Sequence, residues 1–264
     1  MSVKDVKKSD THSVDPLVRA LTPEKIRKDI KRFVALLDSK EDEGKVHDFL
    51  ASHSYFFNGI LRLTTGYSRL YSKIRLGSDY EVDFVWFDTG SLGPEWYLAE
   101  IEHPRFTIFN ARGDPSAALT HGIRQIRDWQ TWIDDNRTYA SKLMPRIKYP
   151  LGLLFIGRRK ELVSIKAQEK LHRIAYEKRM FLRIHTLDWF ASAAKSVESM
   201  LGDWRWWVLM KADSHKDLAN GLPETSLEWL ESAFARHALR YKQKERLEMR
   251  KYEYRDYEQE LHDG

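Results

Sequence analysis

The chain has 264 residues, 42% of them hydrophobic and 12% aromatic, which allows one sizeable core and excludes wholesale disorder. It contains no cysteine, so disulfides, thiolate zinc sites and cysteine nucleophiles are excluded together, and its net charge of +5 carries little weight by itself. Met1 to Asp5 lacks the apolar stretch of a signal peptide, and no uninterrupted apolar run is long enough to span a bilayer; the expectation is a cytoplasmic protein with no membrane partner.

Residues 1–21 are polar and without period, and read as a loose arm. Thr22-Pro23-Glu24 then opens a helix with Thr22 as N-cap and Pro23 at its first position, and Ile26, Ile30, Phe33, Val34 and Leu37 follow at helical spacing. Lys40 to Glu43 is a charged break, and a second helix over about Glu43 to Ser52 carries Val46, Phe49 and Leu50 on one face. The centre is β-rich: Tyr80 to Phe87 predicts a strand, Asp88 to Pro94 a turn, and Trp96 to Glu102 a second strand.

Pro115 to Asp135 predicts a helix with Leu119, Ile123, Ile126 and Ile133 inward. Tyr149 to Gly157 is a continuous apolar run suited to a strand buried on both faces. A helix over Leu162 to Arg179, a strand over Phe181 to Thr186 and a helix over Leu187 to Leu201 follow. Strands alternating with helices predict an α/β fold around a central mixed sheet flanked by helices. Beyond Gly202 come the aromatic stretch Asp203 to Trp207, expected to pack the tail onto the domain, a polar linker over Lys211 to Thr225 and a charged helix over Ser226 to Leu261. That tail holds eight basic and seven acidic side chains from Arg236 onward, a balance that fits salt bridging or self-association better than a cationic arm.

Chemistry concentrates at Asp83 and Glu100-Ile101-Glu102. Side chains alternate along a strand, so Glu100 and Glu102 share a face while Tyr97, Ala99 and Ile101 enter the opposite layer. Sequence does not fix the register across the turn, but antiparallel pairing could bring Asp83 beside Glu100. Carboxylates converging there repel one another without a cation, and a hard ion such as Mg²⁺ or Mn²⁺ accepts oxygen ligands and retains water for chemistry. Acids alternating with hydrophobics on a solvent-facing edge are the plainer alternative, and His103-Pro104 shifts the balance by placing the acids at a strand terminus. A glycosidase pair is disfavoured, because same-strand neighbours lie side by side instead of opposed across a sugar bond.

From Arg105 to Arg179 there are sixteen Lys/Arg against seven Asp/Glu, a local basic excess that suits a polyanion. Arg124 and Arg127 could reach phosphates, and Arg158-Arg159-Lys160, at a strand end, could clamp one or be a solvated turn. Gln125 and Trp129 share a helix face with His121 and Trp132; stacking on bases is one reading, core packing of the tryptophans the better one. The histidines lack zinc-ligand spacing on any one helix, and no Gly-rich phosphate loop is present, so neither zinc nor a nucleotide cofactor is indicated.

The order Val82-Asp83-Phe84-Val85, turn, Trp96 to Pro104 resembles the PD-(D/E)XK nuclease core, and more narrowly the Shedu anti-phage defence nucleases, with their Asp-Phe strand and Glu-Ile-Lys-x-Pro strand. Glu43 to Tyr55 is similar to that family's opening helix, Gln125 to Trp129 to its Gln-Leu-x-x-Tyr helix, and Gly152 to Arg159 and Ile184 to Asp188 to its later strands. The resemblance implies metal ligation by Asp83 and Glu100, with the Ile101 carbonyl as a further ligand, Glu43 holding a metal-bound water, and Gln125 near the substrate backbone. The family's lysine falls at position 102, where this chain has Glu102. A glutamate supplies no positive charge but can accept a proton from water or bind a second metal, and His103 or Arg105 would then provide the cation. The expected domains are an arm and helix over 1–42, a nuclease-like domain over 43–202, and linker plus charged helix over 203–264. The expected function is metal-dependent DNA hydrolysis by a homo-oligomer; the alternative is a catalytically inactive nucleic-acid- or protein-binding module on the same fold.

Overall fold

The computed structural model describes residues 22–39, 42–57, 70–90, 93–177, 182–200 and 213–214. The N-terminal arm, Trp204, Trp206, Trp207 and the charged tail helix anticipated from the sequence lie outside these; of the anticipated polar linker only Asp213–Ser214 is described, and it forms a short strand parallel to the one over Leu70–Leu76. In chain order the elements are α1 (Pro23–Asp38), α2 (Glu43–Ser52), β1 (Leu70–Leu76), β2 (Tyr80–Gly90), β3 (Gly93–Ile101), α3 (Ala117–Asp135), α4 (Arg137–Leu143), β4 (Leu151–Phe155), α5 (Ile165–Glu177), β5 (Leu182–His185), α6 (Asp188–Met200) and β6 (Asp213–Ser214). Short 3-10 turns cover Ser54–Phe57 and Arg159–Leu162.

Local chemistry sets the helix starts. The Thr22 hydroxyl accepts the Lys25 N–H at 3.2 Å, Asp42 accepts that of Lys45 at 3.0 Å, and Ser116 accepts that of Leu119 at 3.0 Å. The strands form a mixed sheet in the order β5-β4-β3-β2-β1-β6. β1, β2 and β3 pair antiparallel, whereas β4 and β5 run parallel to β3. The parallel half requires crossovers, which α3 and α5 supply. Within the hairpin, Trp86 faces Tyr97 and their rings stack at 5.2 Å.

Two buried layers sandwich the sheet. One joins Val82, Val85, Leu98 and Leu154 to Leu119, Ile126, Trp129 and Ile133 of α3 and to α4 and α5. The other joins Phe84, Trp86, Ala99, Ile101 and Phe155 to Phe33 of α1, Phe49 of α2, Phe57 and Phe190 of α6. Trp129 is fully buried, so it packs the core and cannot stack on a base. Among the described residues no helix is long and apolar enough to cross a membrane.

Several expectations need adjustment. The segment Asp88 to Pro94, anticipated as a turn, is mostly paired strand: Asp88 faces Glu95 and Gly90 faces Gly93, because cross-strand hydrogen bonding continues past the polar residues. α3 starts at Ala117, two residues after the expected Pro115, since Ser116 caps it. β1 and α4 were not anticipated at all.

Candidate metal and acid site at the end of strand β3

The antiparallel register of β2 with β3 runs Val85 to Leu98 and Phe84 to Ala99 and would next set Asp83 against Glu100, but ladder pairing stops at Phe84. The Asp83 carboxylate replaces it: one oxygen accepts the Ile101 N–H at 2.9 Å. Its other oxygen lies 2.6 Å from the Lys73 ammonium of β1. Asp83, Glu100 and Glu102 are all buried, at 5%, 7% and 5% exposure. Carboxylates so enclosed need partners. Nevertheless one oxygen of Glu100 and one of Glu102 have no hydrogen-bond partner among the described residues.

α2 brings in the fourth acid. His47 is buried, stacks on Phe84 at 4.5 Å and places Nε2 3.3 Å from the Asp83 carbonyl oxygen. That contact pins α2 over the strand, and Glu43, one helical turn earlier, lies half-buried within charge reach of Asp83. Glu102 continues the β3 ladder by donating its N–H to the Phe155 carbonyl at 2.9 Å, and its side chain runs under α3. There its Oε1 is 3.7 Å from His121 Nδ1, and the absence of a side chain at Gly122 makes the room: a Cβ would meet Leu154 at 2.6 Å and Glu102 Oε1 at 2.8 Å.

The electrostatics follow from this enclosure. Burial, then the neighbouring charges of Asp83, Glu102 and Glu43, hold Glu100 far above the ordinary carboxylate range. Glu102 is pushed up to about 7 by burial, then by Glu43 and Asp83. Glu43 is raised by burial and by Asp83. Burial works against the Lys73 ammonium, but Asp83 outweighs it and holds that pKa above the usual lysine value.

The sequence anticipated three acids meeting as a ligand set. Among the described residues no three His, Cys, Asp or Glu side chains form such a cage. Asp83 and Glu100 adjoin as expected, but Glu102 is drawn toward α3 and both Asp83 oxygens are already engaged. Two carboxylates with unpartnered oxygen still fit a hard divalent ion. Mg²⁺ is commonly held by one or two carboxylates, with water and substrate phosphate oxygens completing its shell.

The remaining candidates spread around this point. Ile101 is buried beside Asp83. Half-buried His103 accepts the Arg105 N–H at 3.0 Å, and burial followed by the Arg105 charge lowers its pKa. Gln125 is half-buried on α3, with Arg124 and Arg127 exposed on the same helix. Arg158, for which a phosphate clamp or a solvated turn was expected, has its guanidinium bonded to Asp188 at 3.0 Å and to Asp38 at 2.5 Å, tying α1 and α6 to the end of β4. Arg159 bonds Ser192 at 2.8 Å.

Sequence reasoning missed Lys73 and His47. His47 carried a faint signal, one turn after Glu43 on an apolar face. Lys73 had none, because β1 itself was not foreseen.

An α/β sandwich with a carboxylate cluster where its sheet changes from antiparallel to parallel pairing is thus defined. The family model described as Shedu protein SduA, C-terminal, matches residues 40–189, more than half of the chain. The chain belongs to the Shedu family, and membership carries the expectation of a role in anti-phage defence. Among curated proteins, none matches the chain.

Proposed function

We propose that this protein is a metal-dependent endonuclease that hydrolyses DNA phosphodiester bonds in anti-phage defence. The observation that carries the reading is the burial of Asp83, Glu100 and Glu102 together at the end of β3 with carboxylate oxygens left unpartnered among the described residues. Buried anionic oxygen without a donor is costly unless a cation is to be received. Glu100, through its unpartnered oxygen, and Asp83, through a further lone pair on an oxygen that already accepts a hydrogen bond, would hold Mg²⁺ or Mn²⁺, with the Ile101 carbonyl and Glu43 completing the protein's share. Such an ion, when bound, polarises phosphate oxygens and lowers the pKa of water.

Glu102 then serves as the general base that takes a proton from the attacking water, and His121 helps fix its carboxylate. Gln125, Arg124, Arg127, His103 and Arg105 lie on or beside the segments that border the acids, and would contact the DNA backbone. Arg159 remains a peripheral contact. The self-association anticipated from the charged tail is kept as a proposal, tested by light scattering with residues 216–264 removed; unchanged assembly would exclude the tail.

The test is incubation of supercoiled and linear DNA with Mg²⁺ or Mn²⁺, comparing wild type with Glu100→Ala. Cleavage should fall about 100-fold or more, as for loss of a principal electrostatic stabiliser. Undiminished metal-dependent cleavage would remove Glu100 from the mechanism. Glu102 at the lysine position favours a second reading, a binding module without catalysis. DNA binding with steep salt dependence and no cleavage under either metal would establish it.

A further inference from the structure

We propose that Lys73, from the strand on the far side of β2, is a catalytic residue of this site and supplies the cation that position 102 lacks. The inference rests on the nuclease reading above and names a residue that reading does not contain.

Two independent observations carry it. The first is proximity. Lys73 Nζ lies 2.6 Å from Asp83 Oδ1 and 3.6 Å from Glu81, and its charge also reaches Glu100. Among the described residues it is the lysine in direct contact with the acid cluster, while 45% of its side chain remains open to solvent and hence to a substrate.

The second is the backbone. Lys73 has φ +52, a left-handed conformation that a side-chain-bearing residue adopts at a cost. The β1–β2 register sets Lys73 opposite Asp83, between the Ser72–Phe84 and Ile74–Val82 pairs. Both strands lose their alternation at that point. Tyr71 and Ile74, three apart, enter the same layer, as do Val82 and Val85. Phe84, two after Val82, enters the opposite one. A matched twist across two strands is spent on delivering one lysine to one aspartate. Strain kept at such a position points to function, because an ordinary strand residue would relieve it.

In the reaction a water oxygen forms the new bond to phosphorus as the bond from phosphorus to the leaving sugar oxygen breaks. The water proton passes to Glu102, and the leaving oxygen takes a proton from solvent. Lys73 keeps its proton throughout and donates hydrogen bonds to a non-bridging phosphate oxygen, where negative charge builds. A lysine on β1 and a glutamate at 102 then divide between two strands the cation and base duties.

The test uses Lys73→Asn, since asparagine tolerates the left-handed backbone, with Lys73→Arg, Glu102→Lys and the double variant Lys73→Asn/Glu102→Lys. Rates are read on supercoiled DNA with Mn²⁺, and Mn²⁺ affinity is read separately by electron paramagnetic resonance. Lys73→Asn should lose about 100-fold in rate, Lys73→Arg should stay within about tenfold of wild type because the charge persists, and the double variant should regain at least about tenfold over Lys73→Asn. Mn²⁺ affinity of Lys73→Asn should instead rise about tenfold, because a competing cation beside Asp83 is gone. A structural role alone would lower rate and affinity together, and that result overturns the proposal. So does a Lys73→Asn protein that cleaves at the wild-type rate. An inert wild type overturns the nuclease reading itself, and an inert wild type made active by Glu102→Lys would show that Lys73 does not fill the position.

Discussion

At Asp83 a single carboxylate serves two donors, the Lys73 ammonium on one oxygen and the Ile101 N–H on the other. Its neighbours Glu100 and Glu102 each keep one oxygen without a hydrogen-bond partner among the described residues, and this inequality governs the response to pH. Glu102 has a folded value of about 7 against an ordinary 4.5. Between those values the folded state holds more protons than the unfolded chain, so this group makes stability fall as pH rises. His185, stacked on Phe155 and lowered to about 4 from 6.5 by burial and then by Arg183, works in the opposite sense. Its contribution is full above 6.5 and is lost as pH falls toward 4. In thermal melts without divalent metal, His185→Gln should gain stability more steeply than wild type between about pH 7 and about pH 5, and Glu102→Gln less steeply. Parallel curves for the three proteins would dissociate both side chains from the titration. Added Mg²⁺ should raise the melting temperature most at the alkaline end, where the acids are charged, and Glu100→Ala should abolish that rise.

The elements hold the site by close approach and by charge. α3 can lie against β3 and β4 only because Gly122 has no side chain. Gly122→Ala drives a methyl into Leu154 and the Glu102 carboxylate, and should cost about 1–3 kcal/mol in urea unfolding as well as displacing Glu102. A cleavage rate unchanged in that variant would mean that the position of Glu102 is immaterial. α1 and α6 are fastened to the end of β4 by Arg158, which has only 14% of its side chain exposed between Asp38 and Asp188. Arg158→Met takes the guanidinium from half-buried Asp188 and unties exposed Asp38, and should destabilise by about 1–2 kcal/mol. DNA affinity should remain at the wild-type level, because that guanidinium is occupied; a weakening that matches that of Arg124→Ala would return it to the DNA-binding set.

Across the whole molecule the basic excess after residue 105 is dispersed over α3, α4, α5 and the loops between them, while the acids converge at the end of the central strand β3. A polyanion approaching the acids needs that surrounding charge to offset repulsion. The double variant Arg124→Ala/Arg127→Ala should reduce the slope of log affinity against log salt by about 2, one for each phosphate that is no longer neutralised. Mn²⁺ binding to the same variant should be unaltered, and an unchanged slope would place the DNA elsewhere on the surface.

The amphipathic spacing of α1 and α3, the cap at Thr22, the buried run that becomes β4, and the shared face of Glu100 and Glu102 are properties of neighbours in the chain, and each was legible in order. So was the family likeness, since it depends on local strings in sequence order. Three decisive features were not. The alternation of β1 is broken at Lys73 by a left-handed residue, so a period-two search passes over it. His47 acquires its role only when Phe84, thirty-seven residues later, comes beneath its ring. Arg158 reads as a free cation until α1 and α6 deliver Asp38 and Asp188. By itself the sequence determined which acids share a strand face and the class of fold that carries them. Only the tertiary structure decided which cation answers those acids, because strand pairing joins residues that no local pattern relates.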